Sequence, residues 1–226
     1  MSLSLIALIA YLIGSIPFAF VINKLFFHQD PRETGSGNIG ALNTLRIGLK
    51  KGNKISAVLA FIAVFFLDGL KGAVMLWLAQ NFLTLPDYQP DTLIVLGTAA
   101  LFVVLGHNYS LYLKFQGGRG AATFMGMLIY LDWRLFLVWG IATLLGMIIA
   151  EILSGHAWNK KLIKNAFNNQ MIGRLGGEVL GLILIYCFNR KIFFILALPQ
   201  LFILIAHKTR LQEQIKNIKN KTYLKK

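Results

Sequence analysis

Apolar runs separated by short polar stretches repeat along the whole chain. They cover about residues 3–27, 55–83, 93–113, 121–131, 135–152, 174–188 and 191–206. A helix needs roughly 20 apolar residues to cross the hydrocarbon core of a bilayer. The first three runs meet that length and several later ones fall short of it. Short runs imply tilt, local thinning or shielding by neighbouring helices. The pattern predicts an all-α integral membrane protein, a polytopic bundle of about seven transmembrane helices. No polar block is long enough to fold separately, so residues 1–226 read as one membrane-embedded domain with a basic tail at 207–226. A signal peptide is the alternative for residues 1–22, but no basic segment precedes the run and no small-residue cleavage site follows it. The run is read as a retained first helix, with a kink at Gly14-Ser15-Ile16-Pro17 where proline releases a carbonyl.

The polar stretches then set the sidedness. Residues 84–92 carry acid and proline but no lysine or arginine, which predicts the outer side. Alternation from there puts the N-terminus outside and the C-terminus in the cytoplasm. The basic segments 30–54, 114–119, 153–173 (with Lys160, Lys161 and Lys164) and 207–226 all fall inside. The connector Asn189-Arg190-Lys191 is the exception. In the tail, Leu211, Ile215 and Ile218 recur at helical spacing among lysines, which fits either a basic helix on the inner headgroups or a solvated tail.

Composition agrees with this picture. The chain is 56% hydrophobic and 14% charged, against roughly 25% charged in soluble domains. The net charge of +14 sits in loops and tail rather than on a face with interleaved aromatics. Contact with anionic membrane lipids is therefore expected, and nucleic acid is not. The single cysteine, Cys187, lies in an apolar run and excludes an internal disulfide or a cysteine metal cluster.

Three polar clusters carry candidate chemistry, and the predicted topology gathers the 30–54 loop and the 117–120 turn at the inner face with the tail that starts at His207. The first is the loop 30–54. Gly35, Gly37 and Gly40 permit close backbone approach, Ser36, Asn38 and Asn43 supply neutral hydrogen-bonding groups, and Arg46 a planar cation. Successive backbone N–H groups in such a loop can cradle a phosphate. A plain Gly-rich connector is the other reading. The second is Asp68-Gly69-Leu70-Lys71-Gly72 inside an apolar run. Asp68 and Lys71 share a helix face, as an active-site wall or as an ion pair that fixes packing. The third joins Gly106-His107-Asn108 to Gly117-Gly118-Arg119-Gly120, a glycine turn with one cation before the next helix. A helix starting near residue 120 favours an anion at that turn. His107 reads more readily as a structural histidine at a helix end.

On these motifs the chain resembles the bacterial acyl-phosphate:glycerol-3-phosphate acyltransferases, the integral membrane family PlsY. Gly35-Ser36-Gly37-Asn38-Ile39-Gly40-Ala41 with Asn43 and Arg46 carries most of the likeness. Asp68 with Lys71-Gly72, and Gly117-Gly118-Arg119-Gly120, add to it in the same order. The resemblance implies seven membrane helices, an inner active site in the cell membrane, and acyl transfer from acyl phosphate to the sn-1 hydroxyl of glycerol 3-phosphate. It implies no metal, no cofactor and no direct use of acyl-CoA or acyl carrier protein. Ser36, Arg46, Arg119 and His207 would be the catalytic group. Gly35, Gly37, Asn38, Gly40, Asn43, Lys71, Gly117, Gly118 and Gly120 would shape the substrate site. A monomer is expected. Arg119 stands where the family usually has lysine, Leu42 where it has threonine, and Arg210 where an asparagine follows its histidine. Arg174-Leu175-Gly176-Gly177-Glu178 replaces a serine-bearing patch.

Acyl phosphate is already activated, so the protein need only hold two anionic substrates together and stabilise developing charge. Ser36 has no His-Asp pair in its motif and reads as a hydrogen-bond donor to phosphate, not a nucleophile. His207 or the substrate's own phosphate would serve as base. A non-catalytic relative that binds phospholipid or phosphate is the alternative. A small transporter is a weaker one, since no internal repeat is visible.

Overall fold

A computed structural model of the chain describes residues 2–82, 91–156 and 171–223. Regular structure among them is helical: α1 Leu3–Ser15, α2 Phe18–Phe27, α3 Ala41–Lys50, α4 Lys54–Asn81, α5 Thr92–Asn108, α6 Ala121–Glu151, α7 Met171–Phe188, α8 Arg190–Ala206 and α9 Lys208–Tyr223. A 3-10 turn occupies Leu111–Leu113. Most of the acidic connector expected at 84–92, the lysines 160, 161 and 164, and residues 224–226 of the tail lie outside the described residues.

Among the described residues, five helical stretches are long and apolar enough to cross a membrane: Leu3–Phe27, Lys54–Asn81, Thr92–Leu113, Ala121–Ser154 and Met171–Phe188. Taken together, α8 and α9 make a sixth. The apolar runs 121–131 and 135–152 lie on either side of a break within α6. The cause is Asp132. It leaves helical dihedrals (φ −167°, ψ 109°), yet its carboxylate accepts the Arg134 N–H at 3.0 Å and restarts the helix at once. The gap between the runs 121–131 and 135–152 is therefore a one-residue break. Laid straight, the 34 residues of this stretch would run about 51 Å, well past the ~30 Å bilayer core.

The first stretch also breaks, at Pro17. Proline has no N–H to give the Ile13 carbonyl, which takes the Ile16 N–H at 3.2 Å instead. The polar insertion at 68–72, by contrast, leaves α4 continuous. Side-chain caps fix other helix starts: Asn53 accepts from Ser56 N–H at 3.0 Å and Asp91 from Leu93 N–H at 2.8 Å.

The chain forms two compact units. One comprises Met1–Leu131 and Phe194–Ile203. In it α1 packs on α5 backbone to backbone, since a Cβ on Gly14 would strike the Val103 carbonyl and one on Gly106 the Tyr11 carbonyl. Gly69, Gly72 and Gly126 bring α4 equally close to the first part of α6. Small residues at such crossings let helices associate where lipid is as apolar as the helix itself. Large apolar side chains face outward, Phe26, Ile55 and Phe66 among them, while Asn23, Asp68, Lys71, His107 and Asn108 are buried. That inversion is what a bilayer requires, because a polar group in hydrocarbon must find its partner inside the protein.

The other unit comprises Asp132–Phe193 and Leu204–Lys226. Gly146, Gly173 and Gly177 bring the later part of α6 against α7. Glu178 is fully buried and holds Arg174, one turn back, at 3.0 Å. Gln214 of α9 accepts the Ile172 N–H at 2.9 Å.

Candidate active site

The loop between α2 and α3 is built around one side chain. Asn43, in the first turn of α3 and buried, accepts the Ser36 N–H at 2.8 Å. Its amide donates to the carbonyls of Pro31 at 2.9 Å and Thr34 at 3.0 Å. Gly35 (φ 68°) and Gly37 (φ 69°) take the left-handed conformation that folds the chain over this amide. A Cβ on Gly35 would occupy the position of the Asn43 Oδ1. At the loop's start, Asp30 grips Arg32 at 2.7 Å, and the Thr34 hydroxyl donates to the Asp30 carbonyl at 2.7 Å. The hydrogen bonds from Arg32 hold the Asp30 carboxyl below the usual carboxylate range, and Asp30 in turn raises Arg32.

These bonds occupy part of the loop's amides. The N–H groups of Arg32, Glu33, Ser36 and Gly37 are all spent inside the loop, on Asp30 Oδ1, Asp30 O, Asn43 Oδ1 and Thr34 O. Ser36 and Asn38 are half-buried at the loop's rim, and Asn38 packs against Gly40. Gly40 is extended and caps α3, its carbonyl accepting the N–H groups of Asn43 and Thr44 at 3.1 Å each. Arg46, also half-buried, follows Asn43 by three residues and so shares its side of α3.

The glycine turn sits at the end of α5. The Gly118 N–H donates to the His107 carbonyl at 2.9 Å. A Cβ on Gly117 would strike that carbonyl, and one on Gly118 would strike the His107 imidazole and the Ile39 carbonyl. Glycine is thus required where the turn touches the α2–α3 loop. Arg119 is half-buried between Gly118 and Gly120, and Gly120 (φ 81°) ends the turn as α6 begins at Ala121. The helix expected near residue 120 starts there.

Beside the junction lies a small cleft with room for about one water. The break at Ile16-Pro17, Ile39, Asp68, Lys71 and Gly118 are among its walls. Lys71 Nζ lies 3.0 Å from Asp68 Oδ1, 3.0 Å from the Gly14 carbonyl and 3.1 Å from the Ile16 carbonyl. Asp68 Oδ1 also faces His107 Nδ1 at 3.7 Å. The three clusters read from the sequence therefore meet within one unit.

The chain matches the model of the family described as glycerol-3-phosphate acyltransferase over residues 4–218. It belongs to that family. It is similar to the glycerol-3-phosphate acyltransferase of Bordetella pertussis, 37% identical over 180 residues that cover 72% of this chain and 78% of the relative. Two crystal structures of PlsY, an integral membrane glycerol 3-phosphate acyltransferase, share the fold. Their TM-scores are 0.68 and 0.66 at 24% identity, covering 96% of this chain and 94% and 93% of theirs. One is a glycerol 3-phosphate form and the other a lysophosphatidic acid form of that protein. The likeness drawn from the motifs, an all-helical membrane acyltransferase, holds.

In this family member His207 belongs to the other unit. It is buried where α8 gives way to α9, its N–H donating to the Leu204 carbonyl at 3.1 Å and its carbonyl accepting from Leu211 at 3.0 Å. Arg210 pairs with Glu213 at 3.4 Å. Sequence reasoning missed the contact between Asp68 and His107. It treated His107 as a helix-end residue, and the signal that would have joined the two is that both are ionisable positions inside apolar runs.

Proposed function

We propose that the chain transfers a fatty acyl group from acyl phosphate to the sn-1 hydroxyl of glycerol 3-phosphate, releasing lysophosphatidic acid and inorganic phosphate. The site faces the cytoplasm from the cell membrane, with the N-terminus outside. The hydroxyl oxygen attacks the acyl carbonyl, the bond to the leaving phosphate breaks, and the hydroxyl proton passes to His207 or to a substrate phosphate. Ser36 and Arg46 hold one phosphate. Arg119, carried by the glycine turn, draws charge from the other and from the carbonyl oxygen. Acyl phosphate is activated already, so the step needs neither a coenzyme nor an acyl-enzyme.

The observation that carries the reading is the contact of two glycine-bearing segments, Gly118 against the Ile39 carbonyl, with a cation next to one and three residues beyond the Asn43 staple of the other. Bringing two anions together is the main task in this chemistry, and two such segments side by side suit it. The glycerol 3-phosphate and lysophosphatidic acid forms of the PlsY neighbour add support. The test is turnover of purified protein with acyl phosphate and glycerol 3-phosphate. Product that requires both substrates, and that falls at least about 100-fold in Ser36→Ala and Arg46→Ala, is expected. Binding of either substrate without product would select the non-catalytic relative instead.

A further inference from the structure

In an unbroken helix the Gly14 carbonyl would take the Phe18 N–H and the Ile16 carbonyl the Phe20 N–H. At Pro17 the helix is broken, and the Phe18 N–H turns back to Ile16 at 3.2 Å. A carbonyl freed inside a membrane span is costly unless another donor reaches it. That donor comes from α4. Lys71 Nζ lies 3.0 Å from the Gly14 carbonyl and 3.1 Å from that of Ile16, across 57 and 55 residues of chain. Its remaining hydrogen meets Asp68 at 3.0 Å. An ammonium has three donors, and each here has an acceptor, with both side chains only 4% exposed.

The arrangement continues toward the glycine turn. Asp68 Oδ1 is 3.7 Å from His107 Nδ1, too far for a hydrogen bond but close enough to orient the ring. The His107 carbonyl takes the Gly118 N–H, and its imidazole fills the space beside Gly118. We propose that Lys71 is a positioning residue. Its ammonium seals the break at Pro17 and, through Asp68 and His107, sets where the Gly117-Gly118 turn stands; it is not a ligand of substrate phosphate. Only the kinetic half of this inference rests on the acyl-transfer reading.

Two measurements on the purified full chain test it. The first is thermal unfolding of Lys71→Met, Lys71→Gln, Pro17→Ala and the doubles. Lys71→Met should lower the unfolding temperature by roughly 5 °C, and Lys71→Gln, which keeps two donors, by less. In the Pro17→Ala background the helix regains its own donors, and the loss on Lys71→Met should shrink by at least about half. An equal loss with and without Pro17 overturns the proposal. Should Lys71→Met alone not fold, the double with Pro17→Ala must fold, and failure of both overturns it too. The second measurement separates KM from kcat. Lys71→Met should lower kcat by about tenfold or more while both substrate KM values stay within about threefold. A tenfold rise in either KM at unchanged kcat makes Lys71 a phosphate ligand and overturns it. If the unsubstituted chain forms no product, the acyl-transfer reading fails, and the thermal cycle still decides the joint between Pro17 and Lys71.

Discussion

Asn43 Oδ1 accepts the Ser36 N–H at 2.8 Å, so a side chain in the first turn of α3 dictates the shape of the loop that precedes it. The same amide donates to Pro31 and Thr34. A buried amide that satisfies three backbone groups is not replaced by any isostere. Asn43→Ala removes three hydrogen bonds, each worth about 1 kcal/mol when its partners can rehydrate and more when they stay buried. Asn43→Asp keeps the acceptor for Ser36 but turns a carboxylate oxygen toward two carbonyls. Both variants should insert normally and lose acyl transfer by about 100-fold or more, with Asn43→Asp no better than Asn43→Ala. Turnover by Asn43→Asp near the unsubstituted rate would show that the loop holds its shape without the donors.

A graded glycine series isolates the collision from the backbone conformation. Gly35, Gly37 and Gly52 all have positive φ, at 68°, 69° and 83°. A Cβ at Gly35 collides with the Asn43 amide, one at Gly37 comes within 3.3 Å of the Arg32 carbonyl, and one at Gly52 meets nothing within 4 Å. Alanine in a left-handed conformation costs on the order of 1 kcal/mol by itself. Gly52→Ala should therefore show the backbone cost alone, with activity near normal. Gly37→Ala should lose more, and Gly35→Ala most, in both unfolding temperature and turnover. Equal losses at all three positions would mean that the space around Asn43 is not what demands glycine.

The membrane architecture was legible in the sequence because lipid-facing side chains must be apolar whatever the helices do to one another. That is why Phe26, Ile55 and Phe66 mark spans without any knowledge of their contacts. The shape of the loop and of the turn was legible where residue type and backbone demand coincide, as at Gly35, Asn43 and Gly118. It was not legible where the partner is a backbone atom far along the chain. Nothing local to Lys71 shows that its acceptors are the Gly14 and Ile16 carbonyls beside Pro17. Nor does the string Glu33 to Gly37 show that most of its amides serve the loop itself.

Gly118 and Arg119 should separate shape from charge in the glycine turn. Gly118→Ala drives a methyl into the His107 imidazole and the Ile39 carbonyl, so it should disturb the turn and the α2–α3 loop together. Arg119→Lys keeps the cation and should retain turnover within about tenfold, whereas Arg119→Ala should lose about 100-fold or more. Equal activity of Arg119, its lysine variant and its alanine variant would leave the turn with a purely structural role. The diagnostic contrast is KM: Arg119→Ala should raise the KM of a phosphate-bearing substrate, while Gly118→Ala should lower kcat as well.

Asp30 and Arg32 give the loop a pH dependence whose sign follows from their pairing. The 2.7 Å ion pair, with Asp30 only 7% exposed, holds the Asp30 carboxyl below its ordinary value. A folded-state value below the unfolded one means the folded protein prefers the ionised form. The pair therefore contributes in full above the unfolded value of about 3.9. The contribution is lost as pH falls through the lowered folded value. Arg32 stays charged throughout, since the pairing raises it further. Unfolding temperatures of the unsubstituted chain and of Asp30→Asn, measured from about pH 3 to pH 7, should differ by a constant amount in the neutral range. The gap should close toward the acid end, where protonated Asp30 resembles asparagine. A gap that stays constant down to about pH 3, or widens, would show that Asp30 does not hold this loop through its charge.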